Sequence, residues 1–233
     1  MAGLIVTYGK SGVGKTLDAC RCFRSGLVLL TDRDGLRAVQ TLDKRTPRHV
    51  RLEDREHPLE EVRKVLSHTV RPLVEAGQVR ALIVSTATEL AERILGQAMQ
   101  KNRDPRQAFT QMYRDFMRLV DEMLEFDVWV LFECAEATPV EEAYRVRPGG
   151  PKMPGKQIAE DLFSRASITL RAVYDGAGQR AYCCVPSDPL WLMKDRYNVC
   201  EPEQPMDLLA LMKKTIEKAA ENSAKGADGG NGK

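Results

Sequence analysis

The chain has 233 residues, is 43% hydrophobic and 29% charged, and sets 35 Lys and Arg against 33 Asp and Glu for a formal net charge of +2. That length suits one α/β domain with a modest extension, and near-neutrality excludes a global field that attracts nucleic acid, so any basic site is local. No apolar run approaches the ~20 residues of a membrane span, and the six cysteines form no paired C-x-x-C pattern, so a cytoplasmic protein with reduced thiols and no membrane partner is expected.

Leu4, Ile5 and Val6 form an apolar run that leads directly into Gly9-Lys10-Ser11-Gly12-Val13-Gly14-Lys15-Thr16. This octet fits the phosphate-binding pattern G-x-x-x-x-G-K-[ST] at every fixed position. Strand, glycine-rich loop and helix in that order let successive backbone N–H groups turn toward a phosphate, with the helix N-terminus adding partial positive charge. Lys15 reaches the β- and γ-phosphates in such a loop, and the Thr16 hydroxyl ligates Mg²⁺. The expected ligand is a nucleoside triphosphate.

Beyond a first helix at Leu17–Arg24, residues 26–31 read as a buried strand ending at Asp32-Arg33-Asp34-Gly35. Residues 43–57 read as connection with a minor strand near Val50 and Leu52. Pro58 opens a helix with apolar positions at Leu59, Val62, Val65, Leu66 and Val70, which Pro72 is expected to kink or end. A third strand is expected at 79–84, then a helix capped by Thr86 and Glu89. Asp104-Pro105 starts the clearest helix, with Phe109, Met112, Phe116, Leu119, Val120 and Met123 in one stripe. A fourth strand is expected at 127–132, a long loop or exposed hairpin at 135–156, and a short helix near 158–165. An antiparallel hairpin is expected from 167–174 and 179–185 about the turn Asp175-Gly176-Ala177-Gly178. A last helix at 206–220 precedes a tail, 221–233, too polar to bury a core and expected to be disordered. The pattern predicts an α/β domain over 1–220: a mostly parallel sheet flanked by helices, closed by an antiparallel hairpin, with nucleotide at the carboxyl ends of the strands.

Enzymes of this class carry an acid that holds Mg²⁺ through water at the end of a hydrophobic strand. After Ala81-Leu82-Ile83-Val84 the residue is Ser85, which can bond a metal-bound water but adds no charge. Asp32 and Asp34 after the second strand, and Glu133 after the fourth, are the acids that could compensate; each could equally be a solvated loop carboxylate.

The layout resembles the RecA-like phage nucleotide-binding ATPases, a family that includes short phage recombinases that anneal single strands. The resemblance rests on residues 9–16, the strand end 29–34, residues 81–90, residues 126–130, Pro154-Gly155-Lys156 and Met193-Lys194-Asp195-Arg196, and spans roughly 3–198. It implies a RecA-like core, ATP and Mg²⁺ as ligands, and single-stranded DNA as a partner in the host cytoplasm. It also implies a homo-oligomer, ring or filament, in which Lys194 and Arg196 reach a neighbouring subunit's γ-phosphate. Asp34 falls where such proteins place a catalytic Glu, and Ser85 where they place the Mg²⁺-linked Asp. Arg145, Arg147, Lys152 and Lys156, interleaved with Gly149, Gly150 and Pro151, suit a clamp on a phosphodiester backbone, although Glu136, Glu141 and Glu142 dilute their field. The alternative function is a nucleotide-binding phage structural or assembly protein with little or no hydrolysis.

Overall fold

The structure, a computed structural model, describes residues 3–42, 47–142 and 145–228, without the side chains of 33–34, 142, 145 and 223–228. The strands in chain order are β1 (Gly3–Gly9), β2 (Gly26–Leu30), β3 (Arg48–Arg51), β4 (Ala81–Ser85), β5 (Trp129–Cys134), β6 (Glu136–Ala137), β7 (Val140–Glu142), β8 (Arg145–Arg147), β9 (Gly150–Pro151), β10 (Ile168–Tyr174), β11 (Arg180–Cys183), β12 (Lys194–Asp195) and β13 (Glu203–Pro205). The helices are α1 (Lys15–Cys22), α2 (Arg33–Gln40), α3 (Pro58–Val65), α4 (Arg71–Glu75), α5 (Ala87–Lys101), α6 (Pro105–Leu124), α7 (Lys156–Arg165) and α8 (Leu208–Asp228).

Among the described residues nine strands form one sheet in the order β13-β11-β10-β1-β5-β4-β2-β3, with β12 also on β10. From β10 through β3 every pairing is parallel, and β11, β12 and β13 add antiparallel pairs at one end. The expected class, a mostly parallel α/β sheet with a terminal antiparallel hairpin, is the one observed. β2, β4 and β5 are buried at every residue, which is why they read as continuous apolar runs rather than alternating ones. Along β1, Leu4, Val6 and Tyr8 enter the core beneath α3, α5, α6 and α7, and Ile5 the core beneath α1, α2 and α8.

Local chemistry sets the element ends. Thr86 Oγ1 accepts from the Glu89 amide at 3.3 Å to start α5, and Asp104 Oδ1 accepts from the Arg106 amide at 2.9 Å to start α6. In α6, Met112, Phe116, Leu119, Val120 and Met123 are buried as expected, but Phe109 is 39% exposed. Pro72 neither ends nor breaks its helix. A π-turn at Leu66–Val70 precedes it and widens the helix, and Pro72 follows as the second residue of α4, a first-turn position that tolerates a missing amide donor. α2 is a helix where sequence analysis expected only a strand end, and its eight residues are too short to show a period. α8 continues past Ala220 to Asp228, into the segment expected to be tail.

The strand order matters most for the site. β5 lies between β1 and β4, so the carboxyl ends of all three open on one sheet edge.

Candidate nucleotide site

The loop leaving β1 bends where only glycine is comfortable. Gly12 has φ +81° and Gly14 φ +100°, and a Cβ on Gly9 would lie 2.4 Å from the Ala172 carbonyl oxygen. Gly9, Lys10, Ser11, Gly12, Val13, Gly14, Lys15 and Thr16 thus form a loop opening into α1. Val13 is buried and anchors the loop to the core, while Lys10, Ser11 and Gly12 are exposed. Lys15 Nζ donates to the carbonyls of Gly9, at 2.9 Å, and Lys10, at 3.1 Å. Burial lowers its pKa, opposed by the charge of Glu133, so the ammonium sits desolvated among acceptors that a phosphate oxygen can replace. A cleft of about 470 Å³ follows the loop, lined among others by Ser11, Lys15, Thr16, Asp32, Ser85 and Arg180.

The decisive contact is at Thr16. Its hydroxyl donates to Glu133 Oε2 at 2.6 Å and lies 3.1 Å from Ser85 Oγ. Ser85 and Glu133 are direct partners across β4 and β5, and both are fully buried. A buried carboxylate at the end of β5 thus faces Thr16, and a serine stands at the end of β4, where an acid was expected. Burial raises the Glu133 pKa, while the neighbouring hydroxyls of Thr16 and Ser85 and the charge of Lys15 pull it down. Its second oxygen, Oε1, is buried with no hydrogen-bond partner among the described residues. A buried orphan acceptor beside a phosphate-loop threonine fits a hydrated Mg²⁺, which would supply both donors and positive charge.

The other candidates fall in different places. Asp32 lines the cleft, but its Oδ1 accepts from the Gly35 amide at 2.6 Å and caps α2. Asp34 lies in the first turn of α2, and its side chain is outside the described residues. Arg147, Lys152 and Lys156 line a smaller cleft of about 120 Å³, shared with Glu160, beyond the carboxyl end of β5. Lys156 also pairs with Glu160 at 3.7 Å, and the Arg145 side chain is outside the described residues. Part of the 135–156 segment is a two-stranded ribbon, β7 with β8.

Lys194 and Arg196 are not brought to this site. They lie beside the amino end of β10, whereas the phosphate loop leaves the carboxyl end of its parallel neighbour β1. Lys194 Nζ donates to the carbonyls of Phe163, at 3.2 Å, and Ser164, at 2.7 Å, closing the C-terminus of α7. Arg196 is exposed.

Arg180 escaped sequence analysis. A Cβ on Gly14 would meet its Nη1 at 2.8 Å, so the guanidinium lies against the phosphate loop. The β10–β11 hairpin was expected, but only the pairing of β10 with β1 sets it beside the loop, and no local pattern announces that.

No protein-family model and no curated protein sequence matches the chain. Among solved structures it is similar to a prototypical ATPase from the type III secretion system of pathogenic bacteria, at 13% identity and a TM-score of 0.50 over 73% of this chain and 52% of that one. The fold is of the P-loop NTPase type. At this identity the likeness speaks for the fold, and the chain spans about half the length of that ATPase, 52%. Among the described residues no helix is long and apolar enough to cross a membrane.

Proposed function

We propose that this protein binds ATP with Mg²⁺ and hydrolyses it, using Glu133 in place of the acid missing at residue 85. The observation that carries this reading is the Thr16–Glu133 hydrogen bond of 2.6 Å at the mouth of the phosphate loop. The loop amides and Lys15 would hold the phosphates, and Thr16 and Glu133 would hold the hydrated metal. When bound, Mg²⁺ neutralises charge on the phosphoryl oxygens. Asp32 at the cleft wall orients the attacking water through its oxygen not used in the α2 cap, with Asp34 the second candidate for that role. The similar ATPase supports turnover as the use of the bound nucleotide.

The reading extends to single-stranded DNA in phage recombination or replication, on two supports. One is the family resemblance; the other is the cluster of Arg147, Lys152 and Lys156 around one cleft at the same sheet edge as the nucleotide loop. Assembly into a ring or filament with shared sites depends on Arg196, because Lys194 is engaged within its own chain.

ATP turnover measured with and without single-stranded DNA tests this. Turnover should require Mg²⁺, rise with DNA, and fall about 10–100-fold in Glu133→Gln, the usual cost of losing a group that orients a metal's shell. Unchanged turnover in that variant would refute the role of Glu133. The full burial of Glu133, which favours its neutral form, supports a second reading: a nucleotide-binding assembly protein that turns ATP over slowly or never. Tight Mg²⁺-nucleotide binding without hydrolysis, with or without DNA, would select it.

A further inference from the structure

Resting on the nucleotide-site reading above, we infer that Arg180 is a binding residue of the same site. It holds the end of the nucleotide diphosphate that points away from the metal. The two flanks of β1 differ in chemistry. On the β5 side stand Thr16, Glu133 and Ser85, the acidic and metal-holding pole. On the other side β10 and β11 form a hairpin that leans over the loop and presents a cation.

The hairpin touches the loop twice. Tyr174, the strand partner of Arg180, donates its hydroxyl to the Gly12 carbonyl at 3.4 Å. Arg180 lies over Gly14, where an added Cβ would be 2.8 Å from Nη1, 3.1 Å from Cζ and 3.3 Å from Nε. Gly14 thus carries two constraints: a backbone at φ +100° and a guanidinium flat against its Cα. Any side chain at this position would push the arginine off the loop.

The arginine is held in place by its scaffold. Asp175 Oδ1 accepts from the amides of Ala177, at 2.9 Å, and Gln179, at 2.7 Å, which fixes the turn. β11 is paired on its far side with β13, and the Arg180 carbonyl accepts from the Met206 amide at 3.1 Å. The guanidinium itself makes no ion pair or side-chain hydrogen bond among the described residues, and it lines the nucleotide cleft. A cation fixed on strands, free of carboxylates and lying on a phosphate loop is suited to a planar, forked contact with phosphate oxygens. Because the metal pole takes the γ-phosphate side, the phosphate left for Arg180 is the one nearest the sugar, present in ADP and ATP alike.

Calorimetric titration of the full chain with ADP and with a non-hydrolysable ATP analogue, both with Mg²⁺, tests this in the parent, Arg180→Ala, Arg180→Lys and Lys15→Ala. Arg180→Ala should weaken both ligands by the same factor, about 10–100-fold, the range for one charge-assisted contact. Arg180→Lys should recover part of that loss, since the charge returns without the fork. A loss confined to the ATP analogue would overturn the assignment and put Arg180 on the γ-phosphate. Parent-like affinity in Arg180→Ala, with binding lost in Lys15→Ala, would overturn it while leaving the site reading intact. A parent that binds neither ligand would remove the site and the assignment together.

Discussion

If Glu133 has taken over the work of an acid at residue 85, restoring that acid creates a conflict rather than a repair. Ser85 and Glu133 are cross-strand partners, both fully buried, and each touches Thr16, at 3.1 and 2.6 Å. In Ser85→Asp two carboxylates share a dry site. Two unit charges 4 Å apart repel by about 4 kcal/mol at an effective dielectric of about 20, an upper bound that one carboxyl relieves by keeping its proton. Taking half, about 2 kcal/mol, the metal-free protein should lose roughly 4–8 °C in Tm at neutral pH. Space is tight there, since a Cβ on Gly35 would be 3.2 Å from Ser85 Oγ. Ser85→Asn therefore serves as the control for volume, and the Asp–Asn difference isolates charge. The exchange variant Ser85→Asp/Glu133→Ser should regain most of the lost stability and keep Mg²⁺-dependent nucleotide binding, because one acid again faces Thr16. Thermal unfolding of the four proteins, with and without Mg²⁺ and nucleotide, reads this out. If Ser85→Asp unfolds at the temperature of Ser85→Asn without metal, the two positions do not share a site and the reasoning fails.

Two further outcomes follow from the same structure. Replacing Arg147, Lys152 and Lys156 by Ala should weaken single-stranded DNA binding and reduce its salt slope by about 2, at about 0.7 for each phosphate no longer neutralised; an unchanged slope by fluorescence anisotropy would remove this cleft from the DNA path. Asp18 Oδ2 accepts from the Tyr182 hydroxyl at 2.8 Å and the Leu208 amide at 3.0 Å, and burial pushes its carboxyl up to about 6. Between about pH 4 and 6 the folded chain therefore holds a proton that the unfolded chain has released, so this group makes stability fall as pH rises through that window. Asp18→Asn keeps both acceptor contacts and should flatten that fall in denaturant titrations at pH 4 and 7, whereas an unaltered slope would show that Asp18 ionises normally.

Much of the fold was legible because its signals are local. An all-apolar strand such as 81–84, a Thr86 cap or an Asp104-Pro105 start acts within a few residues, and the structure places each near its expected position. The phosphate loop was legible for the same reason. The π-turn before Pro72 was not, because a helix can absorb a proline by widening, and sequence does not say whether it does. Nor was the second occupation of Lys194. A lysine among turn residues looks free until the tertiary fold brings the last carbonyls of α7 to it. Arg180 is the extreme case, since its partner Gly14 lies on another element and is reached only when β10 settles against β1.

The exchange proposed between residues 85 and 133 rests on what a parallel sheet makes interchangeable. A metal-linked acid needs a carboxylate near the loop threonine, at the carboxyl end of a strand on that flank of β1, and two strands satisfy this condition. β5 is the immediate neighbour of β1, and β4 lies one strand farther. Glutamate from β5 reaches the Thr16 hydroxyl at 2.6 Å, and the serine left on β4 is small enough to sit within 3.1 Å of the same oxygen. A motif written along the chain ties the acid to one strand, whereas the chemistry ties it only to a place in space. An acid missing at the expected position therefore argues against hydrolysis only after the adjoining strand has been searched. Here that strand ends in a buried carboxylate whose remaining oxygen has no hydrogen-bond partner among the described residues.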